Sequence, residues 1–299
     1  MNPLKLIVKK LLPRRIISLI RNNFHILELN KTRKIFKEAK PSPSFLEPDV
    51  LDTLQSKYKY PPEYGYDKKS LENRGIIRTK EIFHLSGAKE SHSFLELGCW
   101  DGMVSCVLKR KGKEVTAIDR TTEGFEKTAL EEGVKFFQMG AEELQFEDES
   151  FDFVFSYDSF EHFEKPEKVL SEAIRVVKKG GYIFLSFGPL YYSPFGEHAY
   201  RSITVPYCQI LFKGNTLNQY TEQKKLTPID FNHVNRWSLE MYNDLWGKHR
   251  NSLHRISYNK SYNLEHLDLI RKYSSCFKSK SDNFDNFIVA TLEILFQKM

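Results

Sequence analysis

In this chain of 299 residues, the groups best suited to chemistry are a few carboxylates, glycines and histidines in short stretches. In FLELGCWDGM, residues 94–103, an apolar run meets Glu96, then Gly98 and Gly102, with Trp100 between them. A glycine-bearing turn between a strand and a helix lets backbone come close to a nucleotide. The G-x-G-x-x-G spacing of a dinucleotide loop is absent, and Glu96 and Asp101 would repel a pyrophosphate. A loop flanked by carboxylates suits a cationic ligand without phosphates. Asp119 follows Gly98 by 21 residues, near where an acid holds ribose hydroxyls in such folds. A ligand with a ribose and a positive charge fits both features, and S-adenosylmethionine has both.

Two histidines are candidates for proton transfer. His162 sits in DSFEHF and His198 in FGPLYYSPFGEHAY, each just after an expected strand. His198 lies in a glycine-flanked aromatic loop, where a core role is less natural, so it is the leading candidate base or acceptor contact. His162 is the second candidate, with plain packing as its alternative. Tyr191, Tyr192, Phe195 and Tyr200 suit a stacking wall for a sugar or aromatic ring, and lid packing would equally account for them.

The elements that must position these groups alternate. Apolar runs at SFLELG, EVTAID, VKFFQM, SFDFVFSYD and YIFLSF read as strands, and the segments between the first and last of them include helices closed by Gly112, Gly133 and Gly180–Gly181. NFIVATLEILFQK is a further strand near the C-terminus. Strand–helix alternation with short loops predicts a parallel sheet covered by helices on both faces. Residues 189–250 break the pattern, and read as an irregular, aromatic-rich insertion over the carboxyl edge of the sheet.

The stretches FLELGCWDG, VTAID, GAEELQFEDESFDFVFSYDSFEHF and EAIRVVKKGGYIFLSF together resemble class I S-adenosylmethionine-dependent methyltransferases of the methyltransferase type 11 group. The resemblance covers residues 94–187 and implies a Rossmann-like, seven-stranded, mostly parallel sheet with an acceptor-side insertion. It implies that Glu96, Gly98 and Gly102 shape the methionine pocket, that Asp119 holds the ribose, and that Ala141 and Glu142 border the adenine. Cys99, Trp100, Arg120 and Tyr157 complete the expected cofactor-binding set. Trp100 departs from the glycine usual at the centre of that loop. The Asp158-x-x-Glu161-His162 cluster resembles a metal-binding pattern in some quinone O-methyltransferases. Consecutive Glu and His after one strand rarely point the same way, so no metal is expected there. The stretch after the fifth strand resembles a bacterial subset associated with cell-surface glycan assembly. The expected reaction is therefore O-methylation of a small molecule, a sugar or glycan-lipid precursor, with a quinone-like or other lipid acceptor as the alternative. A non-catalytic cofactor-binding scaffold is the reading from a different class.

Composition sets the remaining expectations. Residues 1–40 carry a net charge of +9 and the rest of the chain −3, within an overall +6. A near-neutral body argues against nucleic acid as a partner, and the Asn/Asp-Pro-Pro-Tyr signature of base methylation is absent. Residues 1–40 form a basic amphipathic segment, 41–69 a proline-bearing linker, and 70–299 the catalytic domain. A peripheral membrane contact through residues 1–24, at the inner face of the membrane, is expected from six Lys/Arg and no acid. Four cysteines without a Cys-x-x-Cys pair read as reduced thiols of a cytoplasmic protein.

Overall fold

The computed structural model describes residues 14–59 and 65–299, with side chains from Ile26 onward. Five parallel strands form most of one sheet: β1 (Ser93–Leu97), β2 (Glu114–Asp119), β3 (Lys135–Gln138), β4 (Phe151–Tyr157) and β5 (Val177–Phe187). Two antiparallel strands, β6 (Leu253–Tyr262) and β7 (Val289–Lys298), complete the order β3-β2-β1-β4-β5-β7-β6. Phe94, Leu95, Leu97, Phe153, Val154 and Phe155 are all fully buried. Burial on both faces is why these strands read as continuous apolar runs and not as alternating ones.

Register brings the chemistry to one edge. Leu97 pairs with Ile118, Asp119 with Gln138, and Tyr157 with Ser186. The loops carrying Glu96–Gly102, Asp119 and His162 therefore leave the same carboxyl edge, where ligands bind in open sheets of this kind.

A second core explains the rest of the chain. Helix α1 (Arg14–Glu38) contributes Phe36, and α2 (Asp49–Gln55) contributes Leu51 and Leu54. They pack with Ile203, Tyr207, Ile210 and Leu217 of the insertion and with Ile270, Phe277 and Phe287 from the segment before β7. Within the stretch 41–69, read as a linker from its prolines, residues 46–54 pack onto the domain. Helix α2 lies within it, and Leu46 N–H donates to Leu211 O at 2.8 Å. The prolines end α1 and start α2, but two buried leucines decide the packing. Two ion pairs, Arg33–Asp285 at 2.7 Å and Arg271–Glu28 at 2.8 Å, also tie α1 to the domain. The membrane contact expected of residues 1–24 falls on side chains outside the described ones. Among the described residues, no helix is long and apolar enough to cross a membrane.

Phe36 is buried, with its ring 5.4 Å from that of Phe284 and 5.6 Å from that of Phe287. Phe36→Ala is expected to cost about 3 kcal/mol through the cavity it leaves. A thermal melt checks this, and an unchanged midpoint would mean that α1 is not part of the cooperative core.

Candidate active site

A cavity of about 880 Å³ opens at the carboxyl edge of the sheet. Glu96, Gly98, Cys99, Trp100, Asp119, Arg120, Ala141 and Tyr157 line it, together with His162 and His198. Of the site residues expected from sequence, Gly102 and Glu142 are not in its wall. Gly102 begins α4 (Met103–Arg110) at φ +69°, and a Cβ there would lie 2.3 Å from the Phe136 ring. Its role is close packing. Glu142 turns onto Arg120, with Oε1 2.6 Å from Nη2. Met139 joins Ala141 on that side of the cavity.

The donor loop is held by its own carboxylates. Trp100 takes φ +46°, a left-handed conformation that favours glycine. Its backbone N–H donates to Asp119 Oδ2 at 2.9 Å, so an acid on the next strand holds this turn. The indole lies against Gly124, where a Cβ would come within 2.8 Å of Trp100 Cδ2. Tryptophan thus fits the central position by turning its ring away from the tight turn and onto the loop after β2. At Gly98, with φ +68°, a Cβ would meet Ser159 Cβ at 2.6 Å. The donor loop and the loop after β4 touch there, and Ser159 Oγ lies 2.8 Å from Gly98 O.

Charge in the cavity is partly compensated by residues that sequence reasoning missed. Helix α3 (Lys68–His84) places Arg74 and Arg78 four residues apart, on one face. Arg74 pairs with Asp101 at 3.1 Å, and Arg78 pairs with Asp158. Asp101 is therefore engaged by an arginine, and the preference for a cation rests on Glu96 and Asp119. Glu96 is 3% exposed, and Ser105 supplies both of its hydrogen bonds, at 3.2 Å from N–H and 2.5 Å from Oγ. Burial pushes its carboxyl up to about 8. A buried acid of this kind gains from a positive ligand beside it. Asp119, at the end of β2, lines the same cavity and can meet a ribose, and the residues fit S-adenosylmethionine.

A pH dependence follows. A bound cation favours ionised Glu96, so binding releases its proton and affinity rises with pH through the folded value near 8. Donor affinity is expected to gain about tenfold between about pH 7 and about pH 9. Glu96→Gln removes that gain, and calorimetry on both proteins separates it from ionisation of the donor itself. Parallel pH profiles in the two proteins would contradict it.

The acceptor side is built from histidines. His162 Nδ1 lies 2.6 Å from the carbonyl of His233, and His198 Nε2 lies 3.2 Å from that of Pro189. A carbonyl only accepts, so each of these nitrogens carries the hydrogen and the opposite ring nitrogen presents a lone pair. Burial, then the neighbouring His162, pushes His198 down to about 3, and burial also lowers His162. Both rings are neutral at ordinary pH. Glu161 and His162 do face the same way, with Oε1 3.8 Å from Nε2. His233 completes the group and was not singled out from sequence; it lies 35 residues beyond His198 in an irregular loop with no local signal. Tyr200 and Arg201 line the cavity, whereas Tyr191, Tyr192 and Phe195 do not. Tyr192 packs on Phe287 at 6.0 Å, which is lid packing.

Residues 95–185 match the methyltransferase domain family. The ubiquinone biosynthesis O-methyltransferase of Alkalilimnicola ehrlichii is 30% identical over 124 residues, covering 40% of this chain and 50% of that protein. The enzyme of the same name from Aeromonas salmonicida is 33% identical over 124 residues, covering 40% of this chain and 52% of its own. The chain thus spans about half the length of these curated relatives. A crystal structure of a protein from Pyrococcus horikoshii OT3 shares the fold, with a TM-score of 0.50 and 20% identity, over 82% of this chain and 99% of that one. Residues 95–185 thus match a methyltransferase domain, and the fold and cavity are consistent with a class I S-adenosylmethionine-dependent methyltransferase.

Proposed function

We propose that the protein transfers a methyl group from S-adenosylmethionine to a hydroxyl oxygen of a small phenolic, quinone-like acceptor. The observation that carries this reading is one cavity bounded by the donor loop on one side and by neutral histidines on the other. The donor supplies an electrophilic methyl on a sulfonium. Asp119 holds the ribose, Ala141 and Met139 border the adenine, and Glu96 meets the positive charge. The histidines orient the acceptor hydroxyl by accepting its hydrogen bond. Alignment in a site shielded from water supplies most of the acceleration.

A phenolic acceptor is favoured over the sugar that the sequence suggested first, for two reasons. The relatives bear the name of a ubiquinone biosynthesis O-methyltransferase. In addition, a histidine pushed down to about 3 is a weak base. A weak base suits a phenol, with a pKa of about 10, better than the far less acidic hydroxyl of a sugar. The test is incubation with donor and two acceptor sets, hydroxylated aromatics and sugar nucleotides. S-adenosylhomocysteine together with a mass gain of one CH2 on an aromatic acceptor is the expected result. Product only on a sugar restores the sugar reading. Tight donor binding with no product from either set or from a cell extract supports a scaffold.

A further inference from the structure

We propose that His162, His198 and His233 bind one divalent transition-metal cation, zinc or a close relative, on the acceptor side of the cavity; its catalytic use rests on the methyl-transfer reading above. One ring nitrogen from each of the three lies within 4.8 Å of the others. The rings meet from three separate segments, with centroids 4.8 Å apart for His162–His198, 4.3 Å for His162–His233 and 5.6 Å for His198–His233. Among the described residues this is the only group of three or more such side chains close enough to share an ion.

Three features favour a cation over mere packing of three rings. First, two of the rings already carry the outer hydrogen bonds that orient metal-binding histidines, from the far nitrogen to a backbone carbonyl. The carbonyl that orients His162 belongs to His233, so two ligands are coupled by one bond. Second, each of those bonds places the ring's hydrogen on the bonded nitrogen and leaves the opposite nitrogen to face a cation. Third, Glu161 is 2% exposed, and its Oε2 has no hydrogen-bond partner. Its other oxygen lies 3.8 Å from His162 Nε2, so a cation held by that nitrogen would sit beside this orphaned carboxyl. Three imidazoles with an open fourth position suit zinc, cobalt(II), nickel(II) or iron(II). Ligand nitrogens around zinc stand about 3.3 Å apart, from bonds of about 2.05 Å in a tetrahedron, so the group contracts as it binds.

All three histidines line the cavity, so the open position faces the acceptor. A hydroxyl bound there loses its proton to solvent more readily, as metal-bound water does. Its oxygen then attacks the sulfonium methyl. The O–C bond forms as the C–S bond breaks, the bonding pair stays on sulfur, and the products are a methyl ether and S-adenosylhomocysteine. The neutral ether is a poorer ligand than the oxyanion and leaves.

The experiment is titration of chelator-stripped, full-length protein with cobalt(II), followed by its visible ligand-field absorption, and then competition with zinc. One cobalt per chain with an intense, tetrahedral-type spectrum is expected. That spectrum is expected to vanish in a His198→Ala/His233→Ala double variant and to persist in His249→Ala. His233→Gln alone changes an exposed residue; it keeps the fold testable and is expected to weaken binding at least tenfold. No spectrum with the wild-type protein, or the same spectrum with the double variant, overturns the site. Methyl transfer unaffected by chelator, in a protein that binds no cobalt, overturns the site and leaves the reaction standing. Cobalt bound as expected without transfer to any acceptor supports the site and counts against the reaction.

Discussion

Asp119→Ala is expected to weaken binding of S-adenosylmethionine at least tenfold while the protein stays folded. The carboxylate ends β2, where its two oxygens accept the backbone N–H groups of Trp100 at 2.9 Å and Thr121 at 3.2 Å. Each carboxylate oxygen has a second lone pair, enough for the two ribose hydroxyls. A hydrogen bond to a charged group contributes about 1.5–3 kcal/mol, and about 1.4 kcal/mol is a factor of ten. Losing even one of the two therefore reaches the tenfold mark. A second loss adds to it, because Trp100 holds φ +46° with Asp119 as its anchor, and the alanine variant lets that turn relax. Asp119→Asn keeps one acceptor oxygen and should recover part of the affinity. Calorimetry with donor alone, beside a melting curve for each variant, decides the matter. Unchanged affinity in folded Asp119→Ala would remove this residue from the donor site.

The donor half of the site was legible because it is local. Strand, turn and helix are contiguous around Glu96–Gly102, and Asp119 lies one strand further on, so spacing along the chain maps directly onto space. What that local pattern could not tell is which acids are already engaged. Asp101 flanks the loop in sequence, but Arg74 reaches it from α3, outside the stretch that carries the family resemblance. The acceptor half was legible only in part, because it is assembled across long separations. His162 and His198 leave adjacent strands, but His233 joins them from a loop with neither periodicity nor glycine spacing. The same holds for the second core, in which Phe36, Leu54 and Tyr207 meet from three distant segments. Helix α2 was hidden by the prolines around it, since seven residues carry too short a period to outweigh such punctuation.

His198→Ala is expected to lower turnover on a phenolic acceptor by about 10²–10⁴-fold, the range over which positioned proton acceptors contribute. Donor affinity should stay unchanged, because the ring touches His162, His233 and Tyr200 and its hydrogen bond goes to Pro189, none of them a residue of the Glu96–Gly102 loop. The pH profile then says how the loss arises. With its pKa pushed down to about 3, His198 does not change charge between about pH 5 and about pH 8. Its contribution to turnover should therefore be constant across that window. This is the behaviour of a neutral group that holds the hydroxyl, or holds a cation that does. A free imidazole base would instead give an acid limb centred near about 6.5. Such a limb in the wild type, absent from His198→Ala, would show ordinary basicity and return this histidine to the role of proton carrier. Full turnover in His198→Ala would take it out of the reaction altogether. His162→Ala differs in its expected readout. It removes the bond to the His233 carbonyl and follows Ser159, which buttresses Gly98, so donor affinity and turnover should fall together. That contrast, one variant losing turnover alone and the other losing both, separates the acceptor wall of the cavity from the seam between its two halves.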